Sequence, residues 1–565
     1  MFAIAIAGAG DRSSRASPYY SAALSLRTDL RDQPAPRASQ RSGRVARNTA
    51  LFSIGTAISR VAGLAREIVA ASFFGTSGAA SAYALAYQIP SLFSNLVANA
   101  ALSAAFVPVF TDLLQQGRKR EASALASALL WLILIVVGAL TALFILLAGV
   151  IMPLFTGAGF SSHLNALTVG LAQVMFPVVL LLGLNSLFLG ILQSYERFGA
   201  QSFSPAVWNI VIIISLVALR GSFAGDKQIY ALAIAVLIGT VVQLGLAGAA
   251  LGRIDIRLGF SLDWRSPRVR HVLLLMFPVT IGLGIMNLDQ LINAAFGTLV
   301  SKEATAAIER AFRIYMLPQG MFSVAVTTVL FPALSRMAAR RDLPSMRRAV
   351  GTGMRQINLL LIPSATLLIV LTTPIVRLVF ERGHFTAHST RLAAIALFWF
   401  AFALPFSGLN LLLTRTFFAV QRPWIPTKLA AVNIVADLIA SAALYRPLGI
   451  AGLVIGTLLA NVLMSALQLR RLRAGFRGRL EGAQTTMITA RIILASALLG
   501  GVAWLVFQAL EALLGRSLPA QLVSVGGACG LAVLVYARAV LLMRVPEAHQ
   551  VRALISGRMG ALRGA

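Results

Sequence analysis

Three arginines lie inside long apolar stretches of this sequence, where a charge is costly. Arg60 and Arg66 fall in the first stretch, and Arg313 falls in the eighth. An arginine at the centre of a bilayer costs roughly 2.5–3.5 kcal/mol on insertion scales, so such residues normally face a watery cavity or a charged partner. Because a guanidinium binds phosphate oxygens bidentately, a cavity lined by these arginines predicts an anionic cargo, especially a phosphate or pyrophosphate.

Carboxylates near these arginines leave a second interpretation open. Glu67 directly follows Arg66, and Glu309 precedes Arg313 by four residues. The second spacing and order favour an ion pair within one helix. Structural pairing and a role in a cavity are therefore both open for Arg313, and Glu67 and Glu309 are candidate counter-ions or coupling groups.

Two further acids, Asp289 and Asp437, also lie within apolar stretches. Each is either a counter-ion for the arginines or a cation site, and the residues alone do not separate these options.

Motifs for enzymatic or metal-dependent chemistry are not found in the sequence. It contains no Walker loop, no G-x-S-x-G motif and no zincin motif. We therefore expect no catalytic residue, no metal site and no bound cofactor.

The amino-acid composition indicates that these charges lie in a membrane-embedded protein. Of 565 residues, 58% are hydrophobic and only 12% are charged. A soluble domain is nearer 45–50% apolar and about 25% charged. The apolar residues come in runs of about 20 or more, which is the length that a helix needs to cross the hydrocarbon layer. Backbone amides in lipid must be paired within the segment, so these runs predict helices.

About fourteen membrane-spanning helices are predicted. They lie near residues 48–73, 79–113, 122–154, 165–195, 202–220, 228–251, 269–299, 303–335, 346–373, 388–420, 426–445, 449–470, 486–510 and 518–543. The formal net charge of +30 comes mainly from short basic clusters between these runs and in the terminal regions. That placement favours the positive-inside rule and attraction to anionic lipid headgroups over nucleic-acid binding. Connections alternate between basic and poor in lysine and arginine, which predicts that both termini are cytoplasmic.

The chain also repeats itself. Pro332 follows Pro108, and Asn433 follows Asn209, in both cases by 224 positions and within similar motifs. This offset spans six helices, so the two copies point the same way, as in one class of secondary transporters. The predicted regions are a disordered cytoplasmic tail (1–47), an N-lobe of helices 1–6 (48–251), a C-lobe of helices 7–12 (252–472), an added helix pair (473–545) and a cytoplasmic tail (546–565).

Several motifs, in order, resemble the MurJ (MviN) family of lipid II flippases, within the larger group of multidrug and polysaccharide exporters. The resemblance rests on the stretches 59–67, 105–109, 380–387 and 415–421, with Ile89-Pro90 between the first two. It implies two six-helix lobes around a cationic cavity, and a groove for an undecaprenyl tail on the last two helices. It further implies alternating access, coupled to membrane potential or a monovalent cation.

The resemblance also assigns residues. Family arginines of the cavity fall on Arg60, Arg66 and Arg313. Three other family charges are missing: an acid falls on Ser81, an arginine on Ser94 and a glutamate on Met316. The cavity is therefore expected to be less charged than that of typical members, with Glu309 and Asp289 as substitute acids.

The leading hypothesis is a non-enzymatic flippase of the bacterial cytoplasmic membrane. Its cargo would be lipid II, an undecaprenyl-pyrophosphate-linked disaccharide-pentapeptide, and its partners would be membrane lipids and the cell-wall synthesis machinery. The nearest alternative is a flippase for another polyprenyl-pyrophosphate-linked glycan. A cation-coupled drug exporter is a third possibility, and it predicts acids instead of arginines in the cavity.

Overall fold

The computed structural model describes residues 38–94, 101–197, 199–261, 263–476 and 481–549, without the side chains of residues 38–54, 57, 94, 101–104, 200 and 277–289. All regular structure in these ranges is helical. The prediction of an all-α membrane protein is therefore confirmed. The terminal tails that the sequence predicts, 1–47 and 546–565, lie largely outside the described residues.

Eighteen α-helices are present in the described ranges. They are α1 (Ala38–Phe74), α2 (Gly78–Ser94), α3 (Ala101–Gln115), α4 (Lys119–Ile151), α5 (Ser162–Met175), α6 (Pro177–Ser194), α7 (Gly199–Leu219), α8 (Ile229–Leu251), α9 (Pro267–Val300), α10 (Ala304–Pro318), α11 (Val324–Ala339), α12 (Leu343–Val370), α13 (Thr372–Phe380), α14 (Ala387–Ala419), α15 (Trp424–Leu448), α16 (Ile450–Gly475), α17 (Gly482–Leu514) and α18 (Leu518–Leu542).

Every predicted span coincides with one or two of these helices. Eleven helical stretches of the described residues are long and apolar enough to cross a membrane. The first, second and seventh predicted spans correspond to α1, to α2 with α3, and to α9, each of which includes undescribed side chains or residues. The total of fourteen spans therefore stays a prediction, and the protein is a multi-pass membrane protein.

A widened turn interrupts one of the predicted spans. The eighth predicted span is two helices, because a five-residue π-helical segment, Gln319–Ser323, separates α10 from α11 directly after Pro318. Such a segment widens the backbone turn and often marks a functional position in a helix. The short helix α13 was not predicted, since the sequence there was assigned partly to a span and partly to a loop.

Buried apolar side chains form four clusters. The largest is built mainly from α2 to α8 and includes Phe106, Leu129 and Met175. Two clusters join α10, α11, α12, α14 and α16, and the fourth joins α17 and α18 to α12. Other large apolar side chains are exposed, for example Leu146, at 80% exposure. Apolar atoms on the outer surface of such a bundle face lipid. The lobe boundaries stay a prediction.

The helix pair α17–α18 is attached to α12 by buried polar contacts. Arg355 of α12 is 5% exposed and donates to Glu547, which is 2% exposed, and to Glu481 at 3.1 Å. The Asn358 amide donates to Thr489 at 3.0 Å. These contacts fix the helix pair α17–α18 to α12.

We expect Arg355→Met to lower the stability of the protein strongly. The substitution leaves the buried Glu547 carboxylate without its cation, and removing one partner of a buried pair costs about 3–5 kcal/mol. The measurement is the thermal unfolding midpoint of purified protein in detergent. Arg348→Met, which changes an exposed arginine of the same helix, should leave the midpoint within about 1 °C, since surface substitutions change stability little. Equal midpoints for both variants would contradict the prediction.

Turns of the two repeats meet at the end of the bundle that carries the connections poor in lysine and arginine, called here the basic-poor end. The turn after α1 meets the turn before α14 (the first clasp). The His384 N–H donates to the Ser72 carbonyl at 2.8 Å. Gly75 and Gly383, with φ of 55° and 57°, permit this approach. A Cβ on Gly383 would lie 2.4 Å from the Ser72 oxygen, so a side chain does not fit there.

A second clasp lies at the same end. The turn after α4 meets the end of α9, where the Gly159 N–H donates to the Thr298 carbonyl at 3.0 Å. Gly159 and His384 are 225 positions apart, and Ser72 and Thr298 are 226 positions apart. These separations match the internal repeat within two residues. The two clasps are therefore repeat-related copies of one backbone contact.

Side chains reinforce this closure. Thr76 and Ser389 share a hydrogen bond of 2.7 Å between their hydroxyl oxygens, from one repeat to the other. The Ser81 hydroxyl accepts from the Ala306 N–H at 3.1 Å, in the first turn of α10. The first turn of a helix has N–H groups without intrahelical partners, so a serine from another helix acts as its cap. The basic-poor end is thus closed by contacts between the repeats.

Candidate functional site

A cavity of about 560 Å³, part of it open to solvent, lies between helices of the two repeats. The side chains around it come from α1, α2, α7, α8 and α10. They are Arg66, Glu67, Ala70, Ala80, Tyr83, Ala84, Tyr87, Trp208, Leu232, Val236, Ala306, Glu309, Arg310 and Arg313. These residues define the cationic cavity.

Helical periodicity places these side chains. On α2, Ala80, Ala84 and the two tyrosines recur at the i, i+3, i+4, i+7 spacing of one helix face, and Ala306, Glu309, Arg310 and Arg313 do the same on α10. The alanines leave space on α2. Tyr83 and Tyr87 stack with ring centroids 6.1 Å apart. One aromatic face and one charged face therefore border the same space.

The carboxylate of Glu67 is shared by three arginines. Its Oε1 lies 2.5 Å from Arg66 Nη2 and 3.7 Å from Arg313 Nε, and its Oε2 accepts from Arg310 Nη1. Arg313 Nη2 also bonds Glu309 Oε1 at 2.5 Å, within α10. A buried charge is tolerated when it is paired and hydrogen-bonded. The network pairs these charges but still contains three guanidiniums and two carboxylates.

The three arginines differ in access to the cavity. The side chain of Arg313 is 39% exposed, whereas those of Arg66 and Arg310 are 16% and 9% exposed. The Arg66 guanidinium also packs over the Trp208 ring, with its carbon 4.8 Å from the ring centroid, which is a cation–π contact. Arg313 is therefore the guanidinium most available to a bound molecule, and the other two mainly hold Glu67.

The structure brings four of the predicted site residues together: Arg66, Glu67, Glu309 and Arg313. Arg60 does not line this cavity. It is exposed, and its guanidinium nitrogen lies 3.8 Å from the position that a Cβ on Gly320 would take, beside the π-helical segment. Arg60 lies six positions before Arg66, a rise of about 9 Å along α1. The side chain of Asp289 lies outside the described residues.

Sequence reasoning missed Arg310. It is one residue after Glu309 and three before Arg313, in the same predicted span, so the argument from charge inside an apolar stretch that singled out Arg313 could have included it. Of the three positions without the family charge, Ser81 caps α10, Met316 is 41% exposed and lies outside the cavity lining, and the side chain of Ser94 is not described. The charged side chains of Glu309 and Arg310, both on α10, do line the cavity.

The predicted Asp437 lies in a different environment. It is 1% exposed and accepts from the Asn293 amide at 3.0 Å and from the Ser441 hydroxyl at 3.4 Å. It does not line the cationic cavity. Its interpretation as a direct counter-ion for the cavity arginines is therefore not favoured.

Residues 70–523 match the family described as lipid II flippase MurJ. The chain belongs to this family. Among MurJ relatives, the probable lipid II flippase MurJ of Treponema pallidum is 30% identical over 413 residues, covering 71% of this chain and 76% of that protein. The lipid II flippase MurJ of Burkholderia cenocepacia is 30% identical over 408 residues, covering 70% of this chain and 78% of that protein. These relatives are named as flippases, which are transporters.

Solved structures share the fold. A lipid II flippase MurJ in an inward closed conformation superposes with a TM-score of 0.73 at 23% identity, covering 87% of this chain and 98% of that one. An inward-facing multidrug resistance transporter of the MATE family has a TM-score of 0.63 at 15% identity, covering 76% of this chain and 98% of that one. Flippases and drug exporters thus share one architecture, so the cavity charge, and not the fold, must indicate the cargo.

Proposed function

We propose that this protein moves lipid II from the inner to the outer leaflet of the bacterial cytoplasmic membrane. The observation that carries the proposal is the excess of arginine over carboxylate in a central cavity of a MurJ family member. An anionic pyrophosphate fits this surface, whereas a cationic drug would be repelled by it. The basic-poor end would face outward and both termini would be cytoplasmic, following the positive-inside rule.

In this proposal Arg313 makes the direct contact with the pyrophosphate, and Arg66 contributes from the cavity wall. Glu67 keeps Arg66 and Arg310 in place while the cavity is empty, because its two oxygens are bonded to both. A cargo with two or more negative charges can replace part of this pairing and gain charge-assisted hydrogen bonds of its own. Arg60, beside the π-helical segment, would meet the headgroup nearer the cytoplasmic side.

Transport would proceed by alternating access, with the two clasps as the outer gate. Interfaces made of discrete hydrogen-bonded contacts tend to have two arrangements, made or broken, and not a continuous range. The described arrangement would be the outward-closed state. Energy would come from the membrane potential or from a monovalent cation, and Asp437, buried and apart from the arginines, is the proposed place where the cation acts.

The test of this function is transport of the cargo itself. Purified protein is reconstituted into vesicles that contain lipid II, and the outer-leaflet fraction is followed with a membrane-impermeant probe. Parallel vesicles carry another polyprenyl-pyrophosphate-linked glycan, so that the nearest alternative is measured in the same assay. No movement of lipid II, with or without a potential or a sodium gradient, would overturn the proposal.

We expect Gly383→Ala to open the basic-poor end. Gly383 has φ of 57°, and the added methyl group would meet the Ser72 carbonyl oxygen, so the first clasp must separate. The measurement is the labelling rate of a single cysteine placed at Ser389, using a thiol reagent that does not cross the membrane. Labelling should rise at least several-fold.

Gly515→Ala is the matched control. Gly515 has φ of 74°, but nothing lies within 4 Å of its added Cβ. It therefore has a similar backbone cost of about 1 kcal/mol without the clash. The same labelling rate in both variants would show that the clasp does not limit access.

A further inference from the structure

A second chamber adjoins the cationic cavity. It contains about 490 Å³ of space, part of it open to solvent, and its walls come from α2, α9, α10, α14 and α16. The two spaces lie on neighbouring faces of α10, and Glu309 borders both. The two spaces therefore adjoin at Glu309, four residues before Arg313 on α10.

The chamber differs from the cavity in its chemistry. Its polar side chains are mainly neutral: Gln88, Gln290, Asn293 and Thr457, with Phe312 and Phe400 as aromatic walls. Glu309 is the only charged residue among the described residues that line it. Carboxamides donate and accept hydrogen bonds equally well, and therefore complement hydroxyl and acetamido groups.

The amides are arranged for a ligand. The Asn293 amide nitrogen donates to Asp437 at 3.0 Å and to Thr457 at 3.3 Å, which fixes the orientation of this side chain. No hydrogen bond joins the Gln88 or Gln290 side chain to another group in the part of the chain that the structure describes. Phe312 and Phe400 contact edge to face, with centroids 5.7 Å apart. Aromatic faces attract the C–H groups of sugar rings.

We propose that this chamber binds the carbohydrate part of the cargo, as an N-acetylated sugar beside the pyrophosphate held at Arg313. This inference rests on the proposed function. A peptide with charged carboxylates would need cations here, and none lines the described chamber. An alkyl chain in this chamber would displace water from the Gln88 and Gln290 carboxamides without replacing its hydrogen bonds, which is unfavourable for polar groups.

The test measures binding of defined lipids to the full chain in nanodiscs. The probes are a bare polyprenyl pyrophosphate, the same lipid carrying one or two N-acetylated sugars, and the full lipid with sugars and peptide. We expect sugars to strengthen binding to the unchanged protein. Gln88→Leu or Gln290→Leu should weaken sugar-lipid binding about tenfold, as loss of one or two hydrogen bonds implies. Binding of the bare pyrophosphate should not change, which also shows that the variants are folded.

Controls separate the outcomes. Gln521→Leu changes a glutamine on α18, outside the chamber, and should leave all three affinities unchanged. Gln290→Asn keeps a carboxamide and should restore part of the sugar preference. An unchanged sugar preference in the leucine variants overturns the inference, and so does a loss seen only when the peptide is present. Failure of the unchanged protein to bind even bare pyrophosphate would overturn the proposed function itself.

Discussion

Arg313→Gln should weaken binding of a polyprenyl pyrophosphate by about 10- to 100-fold and reduce transport in proportion. The side chain is 39% exposed, so it is the cavity arginine that a ligand can reach with least rearrangement. A hydrogen bond to a charged group contributes about 1.5–3 kcal/mol, and each 1.4 kcal/mol is a factor of ten in affinity. The fold should survive, because Glu67 keeps its bonds to Arg66 and Arg310.

The measurement is binding in nanodiscs, followed by lipid II movement in vesicles. Arg313→Lys keeps the charge but not the bidentate geometry, so it should give an intermediate affinity. Arg391→Gln changes an exposed arginine at the start of α14, outside the cavity, and should leave binding unaltered. Affinity within twofold of the unchanged protein for Arg313→Gln would remove this residue from the proposed binding site.

A disulfide across the basic-poor end should stop transport almost completely. The hydroxyl oxygens of Thr76 and Ser389 lie 2.7 Å apart, so cysteines at both positions have side chains close enough to be joined. The chain has one natural cysteine, Cys529, which is replaced by alanine in every variant. Thr76→Cys with Ser389→Cys should lose transport on oxidation and regain it on reduction, because a covalent link holds the basic-poor end closed.

Two controls accompany the cross-link. Each single cysteine variant should be insensitive to oxidant. Asn358→Cys with Thr489→Cys joins α12 to α17, whose side chains here already lie 3.0 Å apart, and transport should continue because these helices are expected to move together. Full transport by the oxidised Thr76–Ser389 pair would mean that this end need not open, which contradicts alternating access through it.

Most of the fold could be predicted from the sequence, because the lipid bilayer limits both the length and the backbone conformation of the segments that cross it. Apolar runs of sufficient length must be helices, and each predicted span does coincide with helix. Local pairs were also accessible: Glu309 and Arg313 are four residues apart and bond within α10. The break at Gln319–Ser323 and the short helix α13 were not predicted, since both depend on how neighbouring helices pack.

Contacts between distant segments were beyond sequence reasoning. Nothing in the chain order indicates that Glu67 bonds Arg310, which is 243 residues away. Arg60 and Arg66 are both arginines of α1, yet only Arg66 lines the cavity. Their six-position spacing places them at different heights along the helix and on different sides of it. The repeat offset identifies which positions of the two copies are equivalent. It does not indicate which positions contact each other, so it did not predict the clasps.

The two clasps have one more consequence, for how transport should respond to its surroundings. Each clasp is a hydrogen bond between main-chain groups, and the hydroxyls beside it do not ionise at physiological pH. Neither contact carries a net charge that salt could screen. The two backbone contacts themselves should therefore be nearly independent of pH and ionic strength. Any marked acid or salt dependence of transport would then arise at charged groups: the His388–Glu303 contact beside the first clasp, the shared charges of the cationic cavity, or Asp437.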